Sequence, residues 1–532
     1  LSNRRSKEME YQTERMQTFQ TGKPVTDQFY MDHDYNVPDA KEDVREVILG
    51  AGSLMPEDVR VVENYVKITG KLKFRVLYVT DAAERTVSSL EGRIPFEEMV
   101  CLEQETIGNL AVVPVNVDVT ATVIHSRKLQ IRAVCDIAVH TEETVETEIT
   151  TDLTEDKDAG EAPLYKRYEE RELLSAFASK RDIFRIRKEA ALEGTKENIE
   201  TLLWTEVNLR KFDTRLEEDG IRLQGELKLF ALYDAGEGKT DWVERILPFE
   251  GRTECQGAEE TMYHQIFPEL AEVSVEPRMD EDGEMRVLSV EAALEIRFVV
   301  YREIKVSVLE DLYCLQKTCV PEIREEQAEQ LLMQNHSKCK VSEQLSLPEI
   351  KDNILQICHS SARIQTESVR ATDEGLQIEG VLHVSFLYIK ADDQIPFDTW
   401  QGMIPFSYTL ESNETTGDMD YGLTEGVEQL SVNLLGSDEI EVRAVLAFYC
   451  FFKRPVTVPN IESVAFQPVQ AEELEARPGI VGYIVRSGDR LWDLAKRYQT
   501  TEESIREVNK LENGEIKTGD KILIFKENMS IL

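Results

Sequence analysis

Three places in the chain bring sulfur and imidazole close together in sequence: Cys314 with Cys319, His336 with Cys339, and Cys358 beside His359. Thiolate and imidazole are the usual ligands of zinc, but structural zinc sites draw on paired Cys-x-x-Cys or His-rich spacings, and none of the three pairs supplies one. No bound metal or cofactor is expected. The eight cysteines, at 101, 135, 255, 314, 319, 339, 358 and 450, read as reduced thiols of a cytosolic protein. Hydrolase and phosphoryl-transfer signatures are missing as well: no Gly-x-Ser-x-Gly, no phosphate-binding Gly-rich loop and no His-Glu-x-x-His. The chain holds 101 Asp and Glu, so an acid–base pair for glycoside cleavage cannot be picked by residue type. Trp204, Trp242 and Trp400 read as core or rim positions. These residues suggest a binding protein and not an enzyme.

The polar residues with the most informative spacing lie near the C-terminus. From Gly482 a short strand meets a Ser487-Gly488-Asp489 turn, and Asp489 is placed to cap a helix with Leu491, Leu494, Ala495 and Tyr498 on one face. Thr500 and Glu503 have capping-box spacing for a second helix, with Ile505 and Val508 facing inward. Asn509-Lys510-Leu511 ends that helix, and Lys521 to Phe525 forms a closing strand. The β-α-α-β unit spans 481–527. Its Gly-Asp-x-Leu-Trp turn, Asn-x-Leu and closing Gly-Asp-Lys-Ile-Leu-Ile resemble a LysM domain. That resemblance implies a shallow groove for N-acetylglucosamine-containing glycans, lined here by Ser487, Gly488, Asp489, Arg490, Leu491, Asn509, Lys510 and Leu511. Several of these have an architectural reading too: Asp489 as a cap, Leu491 and Leu511 as core, Asn509 as a turn former. Arg490, where the family often has Thr, and the 512–515 loop depart from the pattern. Weak sugar binding and a protein partner are the expectation.

Most of the chain is organised around one strand that recurs. Val66, Ile68, Gly70, Leu72, Phe74, Val76 and Tyr78 occupy every second position, with polar residues between them as far as Arg75, and the frame returns around Gly225 and Gly380, each 155 residues on. A glycine inside such a strand, repeated in register, suggests a bulge or a close backbone approach. Lys41-Glu42-Asp43-Val44, Lys196-Glu197-Asn198-Ile199 and Lys351-Asp352-Asn353-Ile354 keep the same step. Ile94-Pro95-Phe96, Leu247-Pro248-Phe249 and Ile404-Pro405-Phe406 follow downstream. Each copy closes with a second alternating strand, Leu129 to Val139 in the first. The expected class is mainly β: three tandem antiparallel, sandwich-like domains and then the small C-terminal module. The reading places a loose lead-in at 1–26, copies at 27–155, 163–315 and 321–467, and linkers at 156–162 and 468–480. Short helices are expected at Lys41 to Leu49 and Tyr165 to Ser179.

Val37-Pro38-Asp39-Ala40-Lys41, the Gly-x-Leu-x-Phe-x-Val-Leu-Tyr strand and Ile-Pro-Phe resemble the SPOCS domain of spore-coat proteins. Copy two has Glu193 in place of the first proline, while copy three keeps Pro348 and Lys351. The resemblance implies a coat scaffold on the mother-cell face of the forespore, with the coat morphogenetic ATPase and other coat proteins as partners. A peptidoglycan-binding wall or cortex protein is the alternative.

Charge and hydropathy fit either. The formal charge is -40, with 61 Lys and Arg, which argues against nucleic acid or an anionic lipid surface as the main partner. The longest apolar run, Ala444 to Phe452, is far short of the roughly 20 residues that span a bilayer. Leu1 to Tyr30 contain no apolar stretch of the export-signal kind, so a cytoplasmic setting is expected.

Overall fold

The computed structural model describes residues 10–526 apart from 82–86, 103–107, 155–162, 316, 352, 373, 392–394, 412–418, 437, 469–477 and 512–514. The linker at 156–162, residues 469–477 of the linker at 468–480 and most of the 512–515 loop therefore lie outside the described residues. Copy one contributes Glu10–Thr21 (β1), Val25–Asn36 (β2), Val44–Val62 (β3), Tyr65–Thr80 (β4), Val87–Cys101 (β5), Asn109–His125 (β6) and Lys128–Thr154 (β7). Copy two contributes Tyr165–Ala191 (β8), Thr201–Glu217 (β9), Gly220–Gly236 (β10), Lys239–Glu254 (β11), Tyr263–Met279 (β12) and Met285–Tyr313 (β13). Copy three contributes Lys317–Ser346 (β14), Ile354–Thr372 (β15), Gly375–Lys390 (β16), Phe397–Glu411 (β17), Asp420–Leu434 (β18) and Glu439–Pro468 (β19).

In every copy the glycine strand is the middle of a three-stranded antiparallel sheet: β3-β4-β5, β9-β10-β11 and β15-β16-β17. That sheet packs on a second one centred on the closing strand, so alternate residues of β4 and β7 share one apolar cluster, as do those of β10 with β13 and β16 with β19. The repeated motifs meet inside this sandwich. Gly70, Gly225 and Gly380 stand directly opposite Phe96, Phe249 and Phe406 of Ile/Leu-Pro-Phe. The ring fills the space over the glycine, and the neighbouring strand shifts register beside it in all three copies. The tyrosines at the strand's end also have a task. Tyr78 and Tyr233 donate hydrogen bonds to the backbone carbonyls of Glu42 and Glu197, tying the Lys-Glu turn to the sheet.

Three expected elements come out differently. Lys41 to Leu49 is no helix: β3 begins at Val44. Tyr165 to Ser179 belongs to β8, an extended strand. Glu10–Thr21 of the lead-in form a strand, β1, that pairs with the C-terminal half of β7. At the 155-residue step β1 matches the first half of β8 and of β14, and those halves likewise pair with the far ends of β13 and β19. Three long ribbons thus extend from the three sandwiches. They pack around Met16 and Ile149 from the first, Leu173, Val306 and Val308 from the second, and Ala328 and Val458 from the third.

The copies also meet at their small sheets, where Leu77, Val79, Trp204, Phe230, Cys358 and Phe397 form one cluster. The contacts obey the repeat. Arg75 lies over Trp204, 4.5 Å from the ring centre, and the positions 155 residues on, Phe230 and His359, stack at 4.1 Å. Copy three closes back on copy one, with Thr399 Oγ1 donating to the Ile48 carbonyl at 3.1 Å. The arrangement is a quasi-threefold ring.

His359 is the charged centre of the second-to-third contact. Its Nδ1 lies 3.2 Å from Glu244 Oε2 and its Nε2 3.3 Å from Glu206 Oε2, with Phe230 stacked on the ring and Lys228 nearby. Burial alone would lower the imidazole's pKa, but the two carboxylates outweigh it and hold the group above its ordinary value. Burial likewise opposes ionisation of Glu206, yet its hydrogen bond and charge contact with His359 pull it down to about 2. The raised His359 stabilises the fold fully below about pH 6.5, and this is lost as pH climbs through the folded value. The depressed Glu206 stabilises above about pH 4.3 and is lost as pH falls towards 2. The urea midpoint should therefore drop from pH 6 to pH 8.5, and His359→Gln should flatten that drop. An unchanged pH dependence in the variant would remove His359 as its source.

Candidate binding site in the C-terminal module

Ile480–Ile484 (β20) and Lys521–Phe525 (β21) pair antiparallel and cover two short helices, Leu491–Tyr498 (α1) and Glu502–Asn509 (α2). Helix α1 buries Leu491, Trp492, Leu494 and Ala495, and α2 buries Ile505. Each helix ends on a left-handed residue, Gln499 at φ 52° and Lys510 at φ 50°. Val508, expected to face inward, is 39% exposed. The α2 cap is one residue later than the expected Thr500: Thr501 accepts from the Ser504 amide at 3.0 Å, while Thr500 is buried.

Asp489 does not cap α1. Its Oδ2 accepts from the Arg486 amide and from the Tyr483 hydroxyl, both at 2.8 Å, and so closes the turn that holds Gly488 at φ 89°. The Arg486 amide, then Tyr483, hold its carboxyl below the usual range. Asn509 is also committed. Its amide nitrogen donates to the Ile505 carbonyl at 2.8 Å and the Leu523 carbonyl at 2.7 Å, and its oxygen accepts from the Leu523 amide at 2.7 Å. The side chain acts as an extra strand along β21, which fixes the end of α2.

Of the eight residues expected along the groove, Ser487, Gly488, Arg490 and Lys510 are exposed. Leu491 is buried, and half-buried Leu511 packs against the same cluster, so an apolar contact underlies the two loops. The solvent side of these loops carries a hydroxyl and two cations.

Trp492 has a role that its position in the turn did not reveal. Its indole Nε1 donates to Asp311 Oδ2 at 2.8 Å, and Lys496 Nζ donates to the other oxygen of Asp311 at 2.6 Å. Tyr313 meets the indole edge-on at 4.9 Å and donates to the Thr500 carbonyl at 3.0 Å. Tyr165 stacks on Tyr313, and Arg167 reaches Asp493 at 3.5 Å. All four body residues sit where β8 begins and β13 ends, so the module is docked on the ribbon of copy two. These contacts hold the module fixed against the body. One signal in the sequence pointed here: the facing pair Tyr165 and Tyr313 has no aromatic counterpart at the equivalent positions of copies one and three.

The sequence-adjacent sulfur and imidazole pairs do not converge on a metal site. Among the described residues no group of three or more His, Cys, Asp or Glu is arranged to hold one. Cys339 is buried in the third core, His336 stacks on Tyr449 at 3.9 Å, and Cys358 is buried beside the His359 contact. Trp242 lies under Lys196 and Trp400 stacks on Phe386. No helix among the described residues is long and apolar enough to cross a membrane.

Residues 43–127, 198–278 and 353–435 each match the family described as SipL, SPOCS domain, and residues 483–525 match the LysM domain. The SPOCS matches begin just after the Lys-Glu or Lys-Asp pair and run through the small sheet to the strand before the closing one, leaving β1, its ribbon counterparts and the closing strands β7, β13 and β19 outside. No curated protein and no solved structure matches the chain. Three SPOCS domains arranged as a ring and one LysM domain docked on the second of them give the chain a SipL-like architecture, that of a spore-coat-related protein with a module of the glycan-binding class.

Proposed function

We propose that the chain is a non-enzymatic coat scaffold, working on the mother-cell side of the forespore, whose LysM loops capture the coat morphogenetic ATPase while the SPOCS ring contacts other coat proteins. The observation that carries this reading is the use already made of the groove's polar groups. Asp489 is spent on its own turn and Asn509 on the backbone of β21, which leaves Arg490 and Lys510 as the outward-facing charges. Two exposed cations suit an acidic protein surface better than a neutral sugar. The module as a whole is nearly charge-balanced, with nine Lys and Arg against eight Asp and Glu from 482 to 526, so all of the net negative charge lies in the rest of the chain. It can therefore approach an acidic partner that the body would repel.

A second reading, binding of N-acetylglucosamine glycan, is favoured by the LysM match itself. Rim charges act mainly on association rate and its salt dependence. The double variant Arg490→Glu, Lys510→Glu should slow association with the purified ATPase several-fold and flatten its salt response. Unchanged kinetics, with tight binding of chitin oligomers in calorimetry, would assign the loops to glycan instead.

A further inference from the structure

The crossing from β13 to β14 carries two thiols that face each other. Cys314 and Cys319 have their sulfurs 3.6 Å apart, with the Cys319 thiol donating to Cys314 Sγ and the Cys314 thiol donating to the Lys317 carbonyl at 3.1 Å. Cys314 is 5% exposed and Cys319 half-buried. The remaining cysteines are placed differently: Cys135, Cys255, Cys339, Cys358 and Cys450 are buried and Cys101 is exposed. We propose that Cys314 and Cys319 are a modification site, a dithiol that a hydroperoxide converts into an intramolecular disulfide.

The geometry needs little adjustment. A disulfide requires sulfurs about 2.05 Å apart, so the two must close by roughly 1.5 Å, within reach of a side-chain rotation. The order of reaction follows from the hydrogen bond. Cys319 is pushed up, first by its bond to Cys314 and then by burial, and its S–H is directed at Cys314 Sγ, so a thiolate formed on Cys314 keeps a donor and serves as the nucleophile. That thiolate attacks the peroxide O–O bond, takes one oxygen as sulfenic acid, and the departing hydroxide leaves as water. The Cys319 sulfur then displaces the sulfenic oxygen as a second water, and the S–S bond forms. Two thiols are oxidised by two electrons and one hydrogen peroxide is reduced to two waters.

The location gives the bond a consequence. Tyr313 and Leu315, which flank Cys314, belong to the apolar cluster that receives Trp492, and Lys496 of α1 is near enough to favour a thiolate at Cys319. The disulfide clamps the turn on which the LysM domain rests.

The test uses the full chain treated with hydrogen peroxide, then alkylated, digested and weighed. The peptide that joins 314 to 319 should lose two hydrogens and resist alkylation until dithiothreitol is added. In Cys319→Ser the same treatment should leave a dimedone-reactive sulfenic acid on Cys314. If both thiols stay alkylatable at a peroxide dose that consumes Cys101, or become linked to other molecules instead of each other, the site does not exist.

Discussion

Gly380→Val should disrupt the third domain severely, and Gly70→Val the first, whereas Gly225→Val should be clearly milder in the second. All three glycines face a phenylalanine ring, but the other neighbours differ. A Cβ at Gly70 would lie 2.3 Å from the Met55 carbonyl oxygen, and one at Gly380 2.4 Å from that of Gln365. Both are backbone atoms of the paired strand, which can yield only by opening the ladder. At Gly225 the nearest atoms are those of Phe249, at 2.8 Å, and the nearest backbone atom is Phe212 Cα at 3.5 Å. Phe249 is 4% exposed, so its ring must push into a packed core, an overpacking cost of about 1–3 kcal/mol. The other two should cost about 3 kcal/mol or more, since valine adds a branched side chain where main chain already sits. Urea unfolding followed by limited proteolysis of each variant gives the ranking. Equal damage in all three copies would show that the ring, and not the backbone, sets the cost.

The repeat was legible because its markers answer to one contact: the glycine and the terminal tyrosine keep a step of 155 residues, and the Ile/Leu-Pro-Phe phenylalanine recurs opposite the glycine in every copy. Where the chain departs from plain alternation the sequence misleads. Val44 to Leu49 looks helical because two register shifts, at Val44/Glu46 and Val47/Leu49, break the period of two within six residues. Leu173, Leu174, Ser175 and Ala176 are all buried in succession, because the ribbon of β8 is covered on both faces. β1 exposes most of its first half, so only Met16, Thr18 and Phe19 betray it. In the LysM module the two helices and the closing strand were legible to within a residue, while the first strand begins at Ile480, two residues before the expected Gly482. The dock was not, since Trp492 and Asp311 are 181 residues apart in the chain.

Asp311→Ala should release the LysM domain from the body while leaving both folded. Asp311 is the common acceptor of Trp492 Nε1 and Lys496 Nζ, and its side chain is 16% exposed. Removing it leaves an indole N–H and an ammonium without a partner in a partly closed contact, at a cost of about 2–3 kcal/mol to docking. That shifts the docking equilibrium by roughly 30- to 150-fold. The Tyr313 and Trp492 rings would still offer apolar area, so the variant should populate the released state without unfolding. Hydrogen exchange over Leu491–Tyr498 should accelerate, and proteolysis should cut faster between the ring and the module. If both rates match those of the unmodified chain, the Asp311 contacts do not hold the dock.

The capture head itself is tested most directly by equilibrium binding of the purified coat ATPase to the full chain and to a chain ending at residue 478. A LysM head predicts that the shorter chain loses binding by 100-fold or more while its β-sheet circular dichroism and urea midpoint stay close to those of the full chain. Full-strength binding by the shorter chain would contradict it and move the capture surface onto the SPOCS ring.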